Sequence, residues 1–305
     1  MKKKFTLFII LIFCFYILLY PAEAVTASAN GLVLWYNKVL PSLLPFSILS
    51  NILISSNLLT YITGFLSSLL KHILPVSENG CFVLFSGFFF GFPMGSKNCA
   101  ELLKQEKISP YEAEVLFIIT NNISPVFINS YILYQQLKMP QLFAFSILIL
   151  YLPPIILADI LLQKKKSSIH TKKAASRSKM NFQIIDAGIM NGFETLARIG
   201  GYIMLFSILS SLVTLLPVSN TVKTFVIGFL EITNGISNLA TTTLPSNIKF
   251  ILAMMFTSFG GICGLAQTSS MVNGTTLSMK KYICYKLLLT AISTFAAVIL
   301  TMFLL

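Results

Sequence analysis

The sequence predicts an all-α polytopic membrane protein, an inverted repeat of helices with two broken or re-entrant segments and about seven full spans. Three observations predict it. The 305 residues are 55% apolar and only 10% charged, with a mean hydropathy of +0.82, which no water-soluble globule of this size sustains. Several windows hold the roughly 20 apolar residues that a helix needs to cross a hydrocarbon core about 30 Å thick. The pentapeptide Phe-Ser-Ile-Leu-Ser occurs at Phe46 to Ser50 and again at Phe206 to Ser210, each time inside an apolar stretch followed by a segment interrupted by Gly, Pro, Ser and Asn.

Taken in order, Lys2 to Lys4 followed by the apolar run Phe5 to Tyr20 have the form of a secretory signal, with Ala22-Glu23-Ala24 as a cleavage pattern; an uncleaved signal anchor is the preferred expectation. Spans follow near Leu32 to Ile54, then a weakly amphipathic stretch from Leu58 to Leu74, then Cys81 to Gly95, which is short and Gly-rich for a crossing. Beyond a charged loop, Glu101 to Glu114, further spans are expected near Val115 to Leu133 and Leu142 to Leu162. Seven basic residues then fall between Lys164 and Lys179. The second half offers a span near Leu196 to Leu215, a broken segment from Phe225 to Leu244, a span near Phe250 to Val272 and a last one from Tyr282 to Leu305.

Basic loops stay in the cytoplasm. With the two broken segments counted as re-entrant, the clusters at Lys2 to Lys4, Lys97 to Lys107, Lys164 to Lys179 and Lys280-Lys281 all fall on that side. The two pentapeptide helices then run in opposite directions. The resulting division is residues 1–25, an N-terminal span; 26–163, a first repeat plus one connecting span; 164–180, a basic cytoplasmic loop; 181–279, a second repeat; and 280–305, a C-terminal span.

Composition also argues against several functions. The net charge of +12 sits in loops beside apolar spans, so it sets orientation and does not point to nucleic acid. Cys14, Cys81, Cys99, Cys263 and Cys284 form no CxxC and no disulfide framework, and His72 and His170 are isolated, so neither a metal nor another cofactor is expected. No nucleophile, base and orienting group recur at catalytic spacing, and the expectation is that the chain is not an enzyme.

The residues that could carry function lie at the interruptions. Gly87, Gly91 and Gly95 recur every four residues with Pro93 between the last two, followed by Ser96, Lys97 and Asn98; a Pro flanked by glycines frees backbone groups that a membrane interior tolerates only where protein or a polar cavity meets them. Small-residue helix packing is the plainer alternative. Asn121-Asn122-Ile123-Ser124-Pro125 places polar residues and a helix breaker inside an apolar span, where they either line a site or pair across helices. The second half has Glu231, Asn234, Ser237 and Asn238, and its partner span has Gly260-Gly261 and Gln267. Glu194 and Glu231 are the candidate intramembrane acids, Glu231 being a candidate carrier of a coupling proton. Lys97 and Arg198 are candidate partners for a carboxylate, with capping or snorkelling as the alternative for both. The candidate substrate-binding set is Gly91, Pro93, Gly95, Ser96, Lys97, Asn98, Asn121, Asn122, Ser124, Pro125, Arg198, Glu231, Asn234, Ser237, Asn238 and Gln267.

Gly31-Leu32-Val33-Leu34-Trp35, Val39 to Phe46, Gly91-Phe92-Pro93-Met94-Gly95-Ser96-Lys97 and Asn121-Asn122-Ile123-Ser124-Pro125 resemble the sporulation integral membrane protein family of YlbJ type, grouped with proteins carrying the nucleoside-recognition, or Gate, domain. The resemblance implies two Gate-type repeats, a place in the bacterial cytoplasmic membrane or the membranes between forespore and mother cell, and movement of dipicolinic acid during endospore formation. This chain is short for that family and its second half is less distinctive. The leading expectation is a permease for a small organic anion; the alternatives are a metal or nucleoside permease of Gate type, with Cys99 and Cys263 as soft ligands, or a non-transporting sporulation scaffold acting through its basic loop. Expected partners are the small anion, the lipid bilayer and, as an open option, a second copy of the chain.

Overall fold

The computed structural model describes residues 2–56, 58–70, 73–164 and 181–304, and among them it is helical with no strand. Most of the basic stretch from Lys164 to Lys179 therefore lies outside the described residues, as do both histidines.

Helix α1 (Lys2–Leu19) stops at Tyr20 because Pro21 has no N–H to continue the ladder; Pro21 instead opens α2 (Pro21–Leu34). A π-helical turn, Trp35–Val39, joins α2 to α3 (Leu40–Ser55). The widened turn falls just ahead of Pro41, whose ring cannot sit beneath the carbonyl of Asn37. Next come α4 (Leu59–Leu70), α5 (Glu78–Phe90), α6 (Met94–Lys104), α7 (Pro110–Ile119) and α8 (Pro125–Phe127), the last continuing as π-helical turns over Ile128–Leu137. Helix α9 (Phe143–Gln163) closes the first half. The second half holds α10 (Phe182–Thr214), α11 (Asn220–Leu230), α12 (Ile232–Thr241), α13 (Ser246–Phe259), α14 (Gly261–Met271) and α15 (Met279–Leu304). Serine side chains start several of these: Ser77 accepts from the Gly80 N–H at 3.1 Å and Ser109 from the Glu112 N–H at 3.2 Å.

Among the described residues, five helical rods are long and apolar enough to cross a bilayer: Pro21–Ser55, Pro140–Gln163, Phe182–Thr214, Ser246–Met271 and Met279–Phe303. The expected crossing from Val115 to Leu133 is instead two pieces, because α7 ends at Ile119 and the chain is non-helical until Pro125. In the N-terminal stretch, Ile10–Leu19 form a shorter apolar helix.

The two pentapeptide helices pack against each other antiparallel. Along α10, Gly188 meets Ile52, Gly192 meets Ile48, Gly200 lies under the Trp35 ring and Ser207 meets Gly31, so numbers rise on one rod as they fall on the other. Glycine permits this approach, since a Cβ on Gly200 would stand 2.8 Å from the indole. The Trp35 indole N–H donates to the Leu196 carbonyl at 2.9 Å and fixes the register.

Three contacts gather loop ends at one end of the molecule. Lys107 Nζ donates to the Ile54 carbonyl at 2.5 Å, the Tyr111 hydroxyl donates to the Leu161 carbonyl at 2.5 Å, and Lys281 pairs with Glu114 at 3.9 Å. The end of α3, the α6–α7 loop, the end of α9 and the start of α15 are therefore neighbours, and Lys104, Lys107, Lys164 and Lys281 share that end.

Candidate functional site

Four helices are interrupted, and the interruptions meet. The first lies between α5 and α6, where Gly91 has φ +80° and Phe92-Pro93 is a cis peptide. Gly87 and Gly95, four residues to either side, both press on Thr120; a Cβ on Gly95 would stand 2.5 Å from the Thr120 carbonyl oxygen. The two arms thus close as a hairpin around that residue, and only glycine leaves room. A Cβ on Gly91 itself would lie 2.7 Å from the Ser124 nitrogen and 2.9 Å from the Asn122 oxygen.

The second interruption, Thr120 to Ser124, is held by its own side chains. Asn121 Nδ2 donates to the Phe117 carbonyl at 2.6 Å and Asn122 Nδ2 to the Ile119 carbonyl at 2.8 Å, so the paired amides cap the C-terminal end of α7. Asn121 Oδ1 accepts from the Ser96 N–H at 3.1 Å and from the Ser96 hydroxyl, tying α6 to the break. The Tyr151 hydroxyl donates to the Ile123 carbonyl at 2.6 Å. Ser124 then caps α8 by accepting from the Phe127 N–H at 3.3 Å, with Pro125 in the first helical position.

In the second half, α11 and α12 also fold back on one another. Gly228 and Gly235 face each other backbone to backbone, and the joint between them is Glu231, which is 3% exposed. Its side chain accepts from the Thr233 N–H at 3.1 Å, the Asn234 N–H at 2.9 Å and the Thr233 hydroxyl, so it caps the N-terminus of α12. The fourth break is the glycine pair between α13 and α14, with φ +80° at Gly260 and +72° at Gly261. It rests on the third, since a Cβ on Gly261 would be 3.1 Å from the Leu230 oxygen. The Phe92 ring lies against Gly264, joining the first break to the fourth.

A cavity of about 100 Å³ lies where these breaks converge. Phe92, Ser124 and Phe127 line it from the first half and Glu231, Thr233 and Gln267 from the second. The N-termini of α8 and α12 both open at this wall. Beside it, a polar vestibule of about 420 Å³ is lined by Glu23, Asn30, Ser207, Asn234 and Asn238 among others. Asn234 faces the vestibule while Thr233 and Glu231 face the inner cavity, so one turn of α12 separates the two spaces.

The remaining candidates divide. Ser96, Asn98 and Asn121 are buried behind the cavity wall, where Asn98 Oδ1 accepts from Ser50 at 2.7 Å. Lys97 Nζ donates to Ser47 at 2.7 Å. Asn234 Nδ2 donates to Ser207 at 3.2 Å, so the first serine of each pentapeptide bonds to the helix that follows a hairpin turn. Gln267 Nε2 donates to Cys263 Sγ at 3.2 Å, and Cys99 Sγ donates to the Ala113 carbonyl at 3.1 Å. Ser237 is half-buried on α12 and lines neither space. Arg198 does not join the site; its side chain is 53% exposed on α10 and pairs at 2.5 Å with Glu194, which is exposed too.

One residue that the motifs did not single out stands against the second break. Lys286, two turns into the apolar helix α15, is 3% exposed. Its Nζ donates to the Asn121 carbonyl at 2.7 Å and reaches Asn122 Oδ1 at 3.4 Å. The signal was a single cation in an apolar span with Thr290 and Ser293 four and seven residues on, one helix face.

Residues 37–137, which include the first hairpin and the second break, match the Gate family, described as nucleoside recognition. That segment is similar to the Gate domain. Over most of its length it is also similar to the sporulation integral membrane protein YlbJ of Bacillus subtilis (strain 168), with 26% identity over 311 residues covering 88% of this chain and 75% of that protein. No solved structure matches the chain. The chain is an integral membrane protein, and the segment that resembles the Gate domain supplies Phe92, Ser124 and Phe127 to the wall of the central cavity.

Proposed function

We propose that this protein is a permease for a small organic anion, working in endospore formation as the name of its YlbJ relative suggests. The observation that carries the reading is the central cavity, bounded by hairpin turns from both halves. Antiparallel pentapeptide helices, each followed by a hairpin and then a second broken helix, support an inverted repeat with its site between the halves. On this reading about seven crossings include α1 and the combined path of α7 and α8.

An anion suits the cavity because broken helices present their positive N-terminal ends there. Glu231 already caps the N–H groups of α12, whereas α8 is capped by an uncharged serine and α14 has no side-chain cap. Dipicolinate, a small aromatic dianion, would meet the α8 terminus and stack on Phe92 and Phe127. The Gate description favours a second reading, a nucleoside, which would use the same aromatic faces.

Flux of radiolabelled dipicolinate, compared with nucleosides and divalent metals, in vesicles containing only this protein tests both. Saturable dipicolinate flux abolished by Ser124→Val supports the proposal. Nucleoside flux alone would replace the substrate, and no flux of any of the three above empty vesicles would remove the permease reading.

A further inference from the structure

The second break leaves carbonyl oxygens at the C-terminal end of α7, the negative end of a helix dipole, in the interior of a membrane protein. Most have a partner: Phe117 and Ile119 receive the two Asn amides, Asn122 receives the Phe92 N–H and Ile123 receives the Tyr151 hydroxyl. The Asn121 oxygen receives the Lys286 amine. Lys286 Nζ sits 2.7 Å from it and 3.4 Å from Asn122 Oδ1, and no carboxylate pairs with this ammonium among the described residues. An uncompensated buried charge is costly, and here the opposing charge is the helix end and the carbonyl dipoles alone.

Unwound carbonyls at half-helix C-termini are the ligands that membrane proteins offer to hard monovalent cations. We propose that the Lys286 ammonium is a tethered cation occupying the place of a mobile monovalent cation at the broken end of α7, so that this chain holds its break without bound Na⁺. The site is then a cation site whose ion is part of the protein. Shortening the side chain should convert it into one that takes Na⁺ from solution, with the Asn121 carbonyl and Asn122 Oδ1 as ligands.

The test uses the purified full-length protein in detergent and reads thermal stability in NaCl against choline chloride at equal ionic strength. Because no flux is measured, failure here leaves the permease reading standing. The wild type should melt at the same temperature in both salts. Lys286→Ala should melt lower in choline and be raised by Na⁺ in a saturable way, by about 3 °C or more. Lys286→Met, which fills the space without charge or vacancy, should show no rescue, and adding Asn122→Leu to Lys286→Ala should abolish it. The proposal is overturned if the wild type is itself stabilised by Na⁺, if Na⁺ fails to stabilise Lys286→Ala relative to choline, or if Lys286→Ala cannot be purified folded in either salt while Lys286→Met can.

Discussion

The backbone N–H of Phe92 donates to the carbonyl oxygen of Asn122 at 2.8 Å, so the turn of the first hairpin and the break in the next helix are one hydrogen-bonded unit. Neither interruption satisfies its polar groups alone. Each is stable in an apolar surrounding because the other supplies partners.

Gly91 is the residue that lets the two approach. With φ at +80° and no room for a Cβ between the Ser124 nitrogen and the Asn122 oxygen, Gly91→Ala meets both backbone strain and a clash. The expected loss is about 3 kcal/mol or more, read as a lower melting temperature of the purified protein. A melting temperature equal to that of the wild type would separate the two breaks.

Asn121 and Asn122 look equivalent in sequence and are not so in the structure. Asn121→Ala orphans the Ser96 N–H, the Ser96 hydroxyl and the Phe117 carbonyl together, whereas Asn122→Ala frees the Ile119 carbonyl and one distant oxygen of the Lys286 shell. At about 1 to 3 kcal/mol for each buried group left unpaired, Asn121→Ala should be the more destabilising by at least about 2 kcal/mol. Denaturation of the two variants side by side checks the order. Both variants should abolish uptake, since the two side chains hold the break that carries Ser124 to the cavity wall.

What could be read in the sequence was the local chemistry of the interruptions. Gly91 and Pro93, the paired Asn with Ser124 and Pro125, and Gly260-Gly261 break helices by their own conformational limits, and Glu231 stood out as an acid in an apolar stretch. Their meeting was not legible, because it depends on contacts between residues far apart in sequence, such as Phe92 with Gly264 and Lys286 with Asn121. Charge alone does not mark the site. Lys286 lies close to Lys280 and Lys281, whose type and place signal topology, so its sequence position does not distinguish it, while Arg198, prominent by type, satisfies its charge with Glu194 four residues away.

Glu231 ties α12 to the hairpin turn by accepting two backbone N–H groups that nothing else satisfies. Glu231→Gln keeps the shape but removes the charge facing the helix N-terminus and sets an amide donor against a donor. The expected cost is about 1 to 2 kcal/mol in stability. If Glu231 also carries a coupling proton, flux in Glu231→Gln vesicles should lose its dependence on an imposed pH gradient; retention of that dependence would assign Glu231 to capping alone.

The second hairpin closes through glycine on both arms. Gly235→Ala drives a Cβ into the Gly228 backbone, whereas Gly201→Ala on α10 meets nothing within 4 Å. The first substitution should open the hairpin, cost about 3 kcal/mol and eliminate uptake. The second should leave stability within about 0.5 kcal/mol of the wild type or slightly improve it, as Ala favours a helix interior over Gly. Equal behaviour of the pair would show that close packing of α11 on α12 is not what holds the turn.

The antiparallel pairing of the two pentapeptide helices makes a statement about sidedness. The end of the molecule that gathers Lys104, Lys107, Lys164 and Lys281 should face the cytoplasm. The turn between α10 and α11, where Lys223 Nζ donates to the Thr214 carbonyl at 2.7 Å, lies at the far end of α10 from Gly188 and Ile52 and should face outward. In a cysteine-free background, a cysteine at Ser109 should react with a membrane-impermeant thiol reagent only in permeabilised cells, and one at Ser219 in intact cells. Both sites labelling from the same face would contradict the opposed orientation, because α10 would then have to return through the bilayer before α11, and the rod from Phe182 to Thr214 contains no break at which it could do so.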